Sequence, residues 1–134
     1  MRIQSFDKRC YVEINPAPEG EGYPVFIVEA RINLEHGVFT AKSKILPLPK
    51  LPEFIIHLES FVVNREIQPK LEGAYESYFS FVSDADSVFL EFSVGDGFSG
   101  YTTYANFNLS GRFEIDTDQL KSIVAEFKAL AAMT

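Results

Sequence analysis

A single cysteine, Cys10, stands among 134 residues, so no internal disulfide can form. The fold must rest on a hydrophobic core, and this cysteine usage fits a reducing compartment rather than a secreted disulfide scaffold. No apolar run reaches the ~18–20 residues that a membrane helix needs. The first ten residues carry Arg2, Asp7, Lys8 and Arg9 and no apolar core, so they do not read as a secretory signal. A cytoplasmic protein is expected, without membrane attachment. Asn108-Leu109-Ser110 matches a glycosylation acceptor but reads as a chance match without such a signal. Also missing are G-x-S-x-G, H-E-x-x-H, C-x-x-C and Walker patterns. His36 and His57 have no neighbours that make a triad or a metal pair. No cofactor or metal is expected, and an enzyme is the less favoured reading.

Positive charge is missing from one long stretch. Leu71 to Gly111 contains no Lys and no Arg, six acids, and ten of the nineteen aromatic residues. Residues 71–134 hold three basic against ten acidic residues and so carry the whole net charge of −7. That balance disfavours nucleic acid and anionic membranes, because like charges repel and no counterions are released. It favours a basic protein partner, and the plainer alternative is a solvated acidic surface.

A chain of this length forms one domain, residues 1–134, large enough to bury a core. Cys10, Val12 and Ile14 alternate with Arg9, Tyr11 and Glu13, as in a half-buried strand. Asn15 to Gly22 reads as a loop. Val25 to Ile32 is a second strand, with Phe26, Val28, Ala30 and Ile32 inward. After a turn at Glu35-His36-Gly37 comes a third, with Phe39, Ala41 and Ile45 inward. Pro47, Pro49 and Pro52 end the sheet pattern and start a helix, whose stripe is Leu51, Phe54, Ile55, Leu58, Phe61 and Val62. It should fade by Asn64.

Gln68 to Val82 reads as a strand with an interruption near Gly73, and Ser83 to Asp86 as a tight turn. Val88, Leu90, Phe92 and Val94 then face inward, Gly95 to Gly100 forms a loop, and Tyr101 to Ile115 is the last strand. Its inward set is Ala105, Phe107, Leu109, Phe113 and Ile115. Asp116 and Gln119 make a capping box for a final helix with Leu120, Ile123, Val124, Phe127 and Leu130 on one face. No internal repeat is visible. The expected fold is α+β, a two-layer domain with an antiparallel sheet of about six strands, order βββαβββα, one face wet.

Gly95-Asp96-Gly97-Phe98-Ser99-Gly100 is a literal G-x-G-x-x-G, but a strand rather than a helix follows and Asp96 would repel phosphate, so it reads as a hairpin loop. Asp84-Ala85-Asp86 lacks the oxygen-rich loop of a calcium site. The unusual chemistry lies in the outward face of the late sheet: Glu76, Tyr78, Phe89, Glu91, Tyr104 and Asn106. The partner-binding candidates in this acidic, aromatic segment are Glu76, Tyr78, Asp84, Asp86, Phe89, Glu91, Asp96, Phe98, Tyr101 and Tyr104. Aromatic rings beside acids suit a partner-binding surface. A covering loop or a homodimer is the alternative use of the rings. A further alternative is a small-molecule binder or unrecognised enzyme, with a pocket between sheet and helices near His57 or the Gly95–Gly100 loop.

The order of residues carries a resemblance. Leu71-Glu72-Gly73, Asp84 in its turn, Val88-Phe89-Leu90-Glu91-Phe92, and Phe113-Glu114-Ile115-Asp116 followed by Leu120 and Phe127 resemble the WapI-like immunity proteins of bacterial polymorphic toxin systems, and related small bacterial domains of unknown function. The resemblance spans most of the chain and rests on hydrophobic spacing. It implies a cytoplasmic inhibitor, without catalytic residues, that binds a cognate toxin domain.

Overall fold

The computed structural model describes residues 1–18 and 25–133, with the backbone alone at Phe98 and Ser99. The loop expected at Asn15–Gly22 therefore lies outside the described residues from Glu19 onward.

Two antiparallel meanders follow one another. The first is β1 (Arg2–Gln4), β2 (Cys10–Pro16), β3 (Val25–Leu34) and β4 (Gly37–Pro47), paired in that order and followed by α1 (Leu51–Val63). The second is β5 (Lys70–Glu72), β6 (Tyr78–Asp84), β7 (Ser87–Ser99) and β8 (Tyr104–Ile115), then a 3-10 turn (Thr117–Gln119) and α2 (Leu120–Ala132). Each half is thus four strands and a helix of 13 residues. The protein is α+β, with eight antiparallel strands in two sheets among the described residues where about six in one sheet were expected. β1 and β5 are three residues long, too short for alternation to register as a period. The strand read over Gln68–Val82 is divided between β5 and β6 by a turn at Gly73–Ser77.

The two sheets share one core rather than one sheet lying under two helices. β4 packs across β7 and β8. Small residues permit the close approach: at Gly111 an added Cβ would stand 2.8 Å from Phe92 Cζ and 3.0 Å from Ile32 Cδ1. Val12, Ile14, Phe26 and Val28 from the first sheet meet the same core as Phe79, Phe81, Leu90 and Phe92 from the second. The helices close it. α1 buries Leu51, Phe54, Ile55, Leu58 and Phe61, the expected stripe, and ends at Asn64 as expected. α2 buries Leu120, Ile123, Val124, Phe127 and Leu130. Phe54 lies edge-on to Phe127 at 5.1 Å and stacks at 6.3 Å on Phe81, so α1 touches both α2 and the second sheet. The expected capping box is only half present. Asp116 accepts the Asp118 N–H at 3.0 Å, but Gln119 caps nothing with its side chain, because the 3-10 turn intervenes before α2. No helix is long and apolar enough to cross a membrane among the described residues.

A β-bulge explains one misplaced side chain. Phe26 pairs with Leu46 and Val28 with Ser43, so Lys44 and Ile45 together face Ile27. One extra residue reverses which way the strand points its side chains. Ala41 and Ser43 face inward before the bulge and Leu46 after it, and Ile45, expected inward, is 52% exposed. Phe39 keeps the expected face but stands beyond the core edge, 53% exposed, opposite the half-buried Ile32.

Ser43 is fully buried and its hydroxyl finds no hydrogen-bond partner among the described residues. A buried hydroxyl without a partner costs about 1–3 kcal/mol of desolvation. Ser43→Ala removes the hydroxyl and leaves only a small void. It is expected to raise stability by about 1 kcal/mol, read as a higher urea midpoint at unchanged slope.

Candidate functional site

The register of the second sheet fixes what its outward face presents. Across β5 to β8 one row reads Glu72, Tyr78, Ser93, Ser110, and the next Lys70, Ser80, Glu91, Arg112. A third reads Val82, Phe89, Glu114. Of the acids and rings, Tyr78, Phe89 and Glu91 lie in these outward rows with cations among them, whereas Asp96, paired with Phe107, is on the opposite face with Phe92 and Val94. Arg112, one residue past the stretch without positive charge, stands 3.5 Å from Glu91 and 3.6 Å from Asp84. Its guanidinium lies 4.0 Å over the Phe89 ring. Lys70 stands 4.7 Å over the Tyr78 ring and 3.7 Å from Glu72. Such exposed pairs add little stability, about 0–1 kcal/mol each, but they partly neutralise the face and cover two of its rings. Arg112 follows the acidic stretch in sequence, and β8 brings it back across the sheet beside the acids.

The ten expected residues do not form one cluster. β7 is 13 residues long, about 40 Å at the rise of a strand. Asp84, Asp86, Phe89 and Glu91 lie toward one end, and Asp96, Phe98, Tyr101 and Tyr104 at the other. Tyr78 lies between, opposite Ser93. The Phe98 side chain lies outside the described residues. Asp96 accepts the Gly97 N–H at 2.8 Å.

The G-x-G-x-x-G segment is strand, not loop, through Ser99. The hairpin turns instead at Gly100–Thr103, where the Gly100 N–H donates to the Thr103 carbonyl at 2.6 Å. Gly95 and Gly97 serve close packing rather than a turn. The Gly73–Ser77 turn lies on the outward face over Gly95 and Gly97, and at Gly97 an added Cβ would stand 2.8 Å from Tyr75 Cε1. The Gly95 N–H donates to Ser77 Oγ at 2.9 Å, and Asn108 Nδ2 donates to the Tyr75 carbonyl at 2.7 Å and to Ser93 Oγ at 3.0 Å. β7 and β8 run on past the core, so Ala105, Phe107 and Leu109, expected inward, are not buried. Leu109 is half-buried, Ala105 exposed, and Phe107 49% exposed. Tyr101 and Tyr104 are open to solvent at the hairpin end.

Tyr75 and Glu76 have φ of 55° and 57°, in the left-handed region. The Ser77 N–H donates to the Ala74 carbonyl at 3.0 Å, closing a tight turn with both central residues left-handed. Glycine and asparagine normally fill such positions, and a residue with a Cβ costs about 1–2 kcal/mol there. Glu76→Gly is expected to raise stability by about 0.5–1 kcal/mol, checked by thermal and urea unfolding.

Two clefts border this turn. One, of about 520 Å³, lies between the start of α1 and β5, among Lys50, Glu53, His57, Lys70 and Glu72. The other, of about 420 Å³, lies on the outward face among Glu76, Ser77, Tyr78, Ser93 and Asn108. Alternation marks the second faintly in sequence: Ser80, Ser93, Gly95 and Ser110 put small residues where outward side chains stand. The Asp7 carboxyl is held below its ordinary range by bonds from the Ser5 hydroxyl and the Arg9 N–H, which shape an N-terminal turn away from these clefts. Among the described residues no three His, Cys, Asp or Glu side chains are grouped to hold a metal. No protein-family model matches the chain, and no curated protein and no solved structure matches it.

Proposed function

We propose that the protein is a binding module that recognises another protein through the outward face of its second sheet. In its most concrete form it is a cytoplasmic immunity protein that binds and neutralises a cognate toxin domain. The observation that supports this reading is the composition of that face. Tyr78 and Phe89 lie on an open sheet beside Glu72, Glu91 and Asp84, with Glu76 and Tyr104 toward the hairpin end. Aromatic rings supply much of the energy of protein interfaces, and an acidic surface accelerates association with a basic groove. The cations of Arg112 and Lys70 lie over the Phe89 and Tyr78 rings, while the Glu72 and Asp84 side chains beside them stay largely exposed to a partner.

The test is capture by the immobilised protein of a toxin domain encoded beside its gene, together with rescue of growth when the two are co-expressed. Reversing the charge of Glu76, Asp84, Asp86, Glu91 and Asp96 in a folded variant is expected to abolish capture, and capture is expected to weaken with salt. Unchanged capture by that variant would sink the assignment of the surface. The cleft beside His57 favours a second reading, a small-molecule binder. A ligand there is expected to raise the melting temperature by mass action, and His57→Ala to remove the increase.

A further inference from the structure

Sheet edges expose unpaired backbone groups that template another strand, and proteins guard them with short strands, lysine, proline or bulges. Among the described residues, three of the four sheet edges are guarded in those ways. β1 and β5 are three residues long, and β4 carries Lys42, Lys44, a bulge and Pro47. β8 is not guarded. Its register with β7 is unbroken, and from Gly97 to Gly111 there is no charged residue and no proline.

Two hydrogen bonds give the direction of its backbone groups. The Thr103 carbonyl accepts from Gly100 and so faces β7, as do the groups of Ala105, Phe107 and Leu109, because direction alternates along a strand. The Glu114 carbonyl accepts the Phe6 N–H at 2.8 Å, from outside the sheet. It faces away, and so do Arg112, Ser110, Asn108, Asn106 and Tyr104. Both bonds give the same alternation. Phe6 shows that this edge takes a further hydrogen bond at one end. The edge groups of Asn106 and Asn108 meet no partner among the described residues, and their strand is exposed.

We propose that this edge pairs with β8 of a second copy of the chain, antiparallel about a two-fold axis, joining the two second sheets into one of eight strands. Charge selects this occupant. Each chain carries −7, and β8 offers a neutral stretch where two such chains meet without opposing like charges. A basic strand would gain nothing from a neutral edge. Pairing about a two-fold axis is self-complementary, and outward-facing groups must meet outward-facing groups. With the axis at Phe107, Asn106 stands opposite Asn108 of the partner on one face, and the two half-exposed Phe107 rings meet on the other. This pairing goes beyond the proposed toxin binding and is independent of it.

Sedimentation equilibrium of the full chain tests it, with Asn106→Pro and Asn106→Lys as variants. The Asn106 N–H points to the free edge, so proline removes a donor from the dimer and none from the β7 ladder. Lysine places like charges across the axis. The wild type is expected at twice the chain mass of 15.1 kDa. Its association should tighten as salt rises toward about 0.15 M, since screening relieves repulsion between the acidic bodies. Each variant is expected to raise the dissociation constant about tenfold or more, with circular dichroism unchanged and a melting temperature that matches the wild type at dilutions where the wild type is monomeric. A wild-type monomer at concentrations on the order of 100 μM overturns the proposal, and so does a dimer that both folded variants leave intact. The charge-reversed variant that loses toxin capture should still dimerise, which separates failure of one proposal from failure of the other.

Discussion

Phe54→Ala is expected to remove about 3–5 kcal/mol of folding stability, the range for truncating a buried aromatic ring. Phe54 is 1% exposed and lies between rings of two other elements, Phe81 on β6 and Phe127 on α2. The cavity therefore has walls on α1, on the second sheet and on α2. None can move inward alone without breaking its own packing, so collapse is limited and the upper part of the range applies. Urea unfolding followed by circular dichroism reads the loss. The same experiment tests whether the two meanders fold as one. One core joins them and Phe54 belongs to the helix between them, so a single transition with a shifted midpoint is expected. Two transitions, only one of them shifted, would show that each half folds by itself. Phe54→Leu, which keeps most of the volume, should cost much less.

The elements that were legible in the sequence are those that bury a face over several turns or pleats. The stripe from Leu51 to Phe61 and that from Leu120 to Leu130 repeat at helical spacing, and both helices stand where the spacing puts them. Val88, Leu90, Phe92 and Val94 alternate and are all buried. What was not legible depended on tertiary context. Alternation says which residues share a face but not where the core beneath that face ends, so Phe107 and Phe39 have the expected neighbours and still reach solvent. The bulge before Leu46 is one extra residue, and nothing local distinguishes Ile45 from an inward isoleucine. Nor does a count of charges show that Arg112 folds back onto Glu91 and Asp84. The candidate surface was legible as a composition, and its division into two ends follows from the length of β7.

Gly95→Ala is expected to cost about 2–3 kcal/mol, more than a methyl group added to an open strand position. The new Cβ would collide with the Tyr75 carbonyl oxygen and the Asn108 side-chain amide. Neither is free to yield. The carbonyl belongs to a turn whose central residues are both held left-handed, and the Asn108 amide is bonded to that carbonyl and to Ser93 Oγ. The turn itself must lift. It then loses the Asn108 bond and strains the bond from the Gly95 N–H to Ser77 Oγ. Gly97→Ala makes the contrast. Its added Cβ meets first the edge of the Tyr75 ring, the far end of a side chain that can swing aside, so about 1 kcal/mol is expected. Hydrogen exchange locates the damage: in Gly95→Ala the Gly73 and Ser77 amides, which bond within the turn, should exchange faster, while those of α1 keep their protection. A stability within about 0.5 kcal/mol of wild type would mean that the turn is not seated on β7 as described. Because the lifted turn carries Tyr75 and Glu76 and walls the polar cleft, the same variant separates surfaces. Partner binding on the outward face should weaken, while pairing along the free edge of β8, whose backbone groups the turn does not touch, should persist.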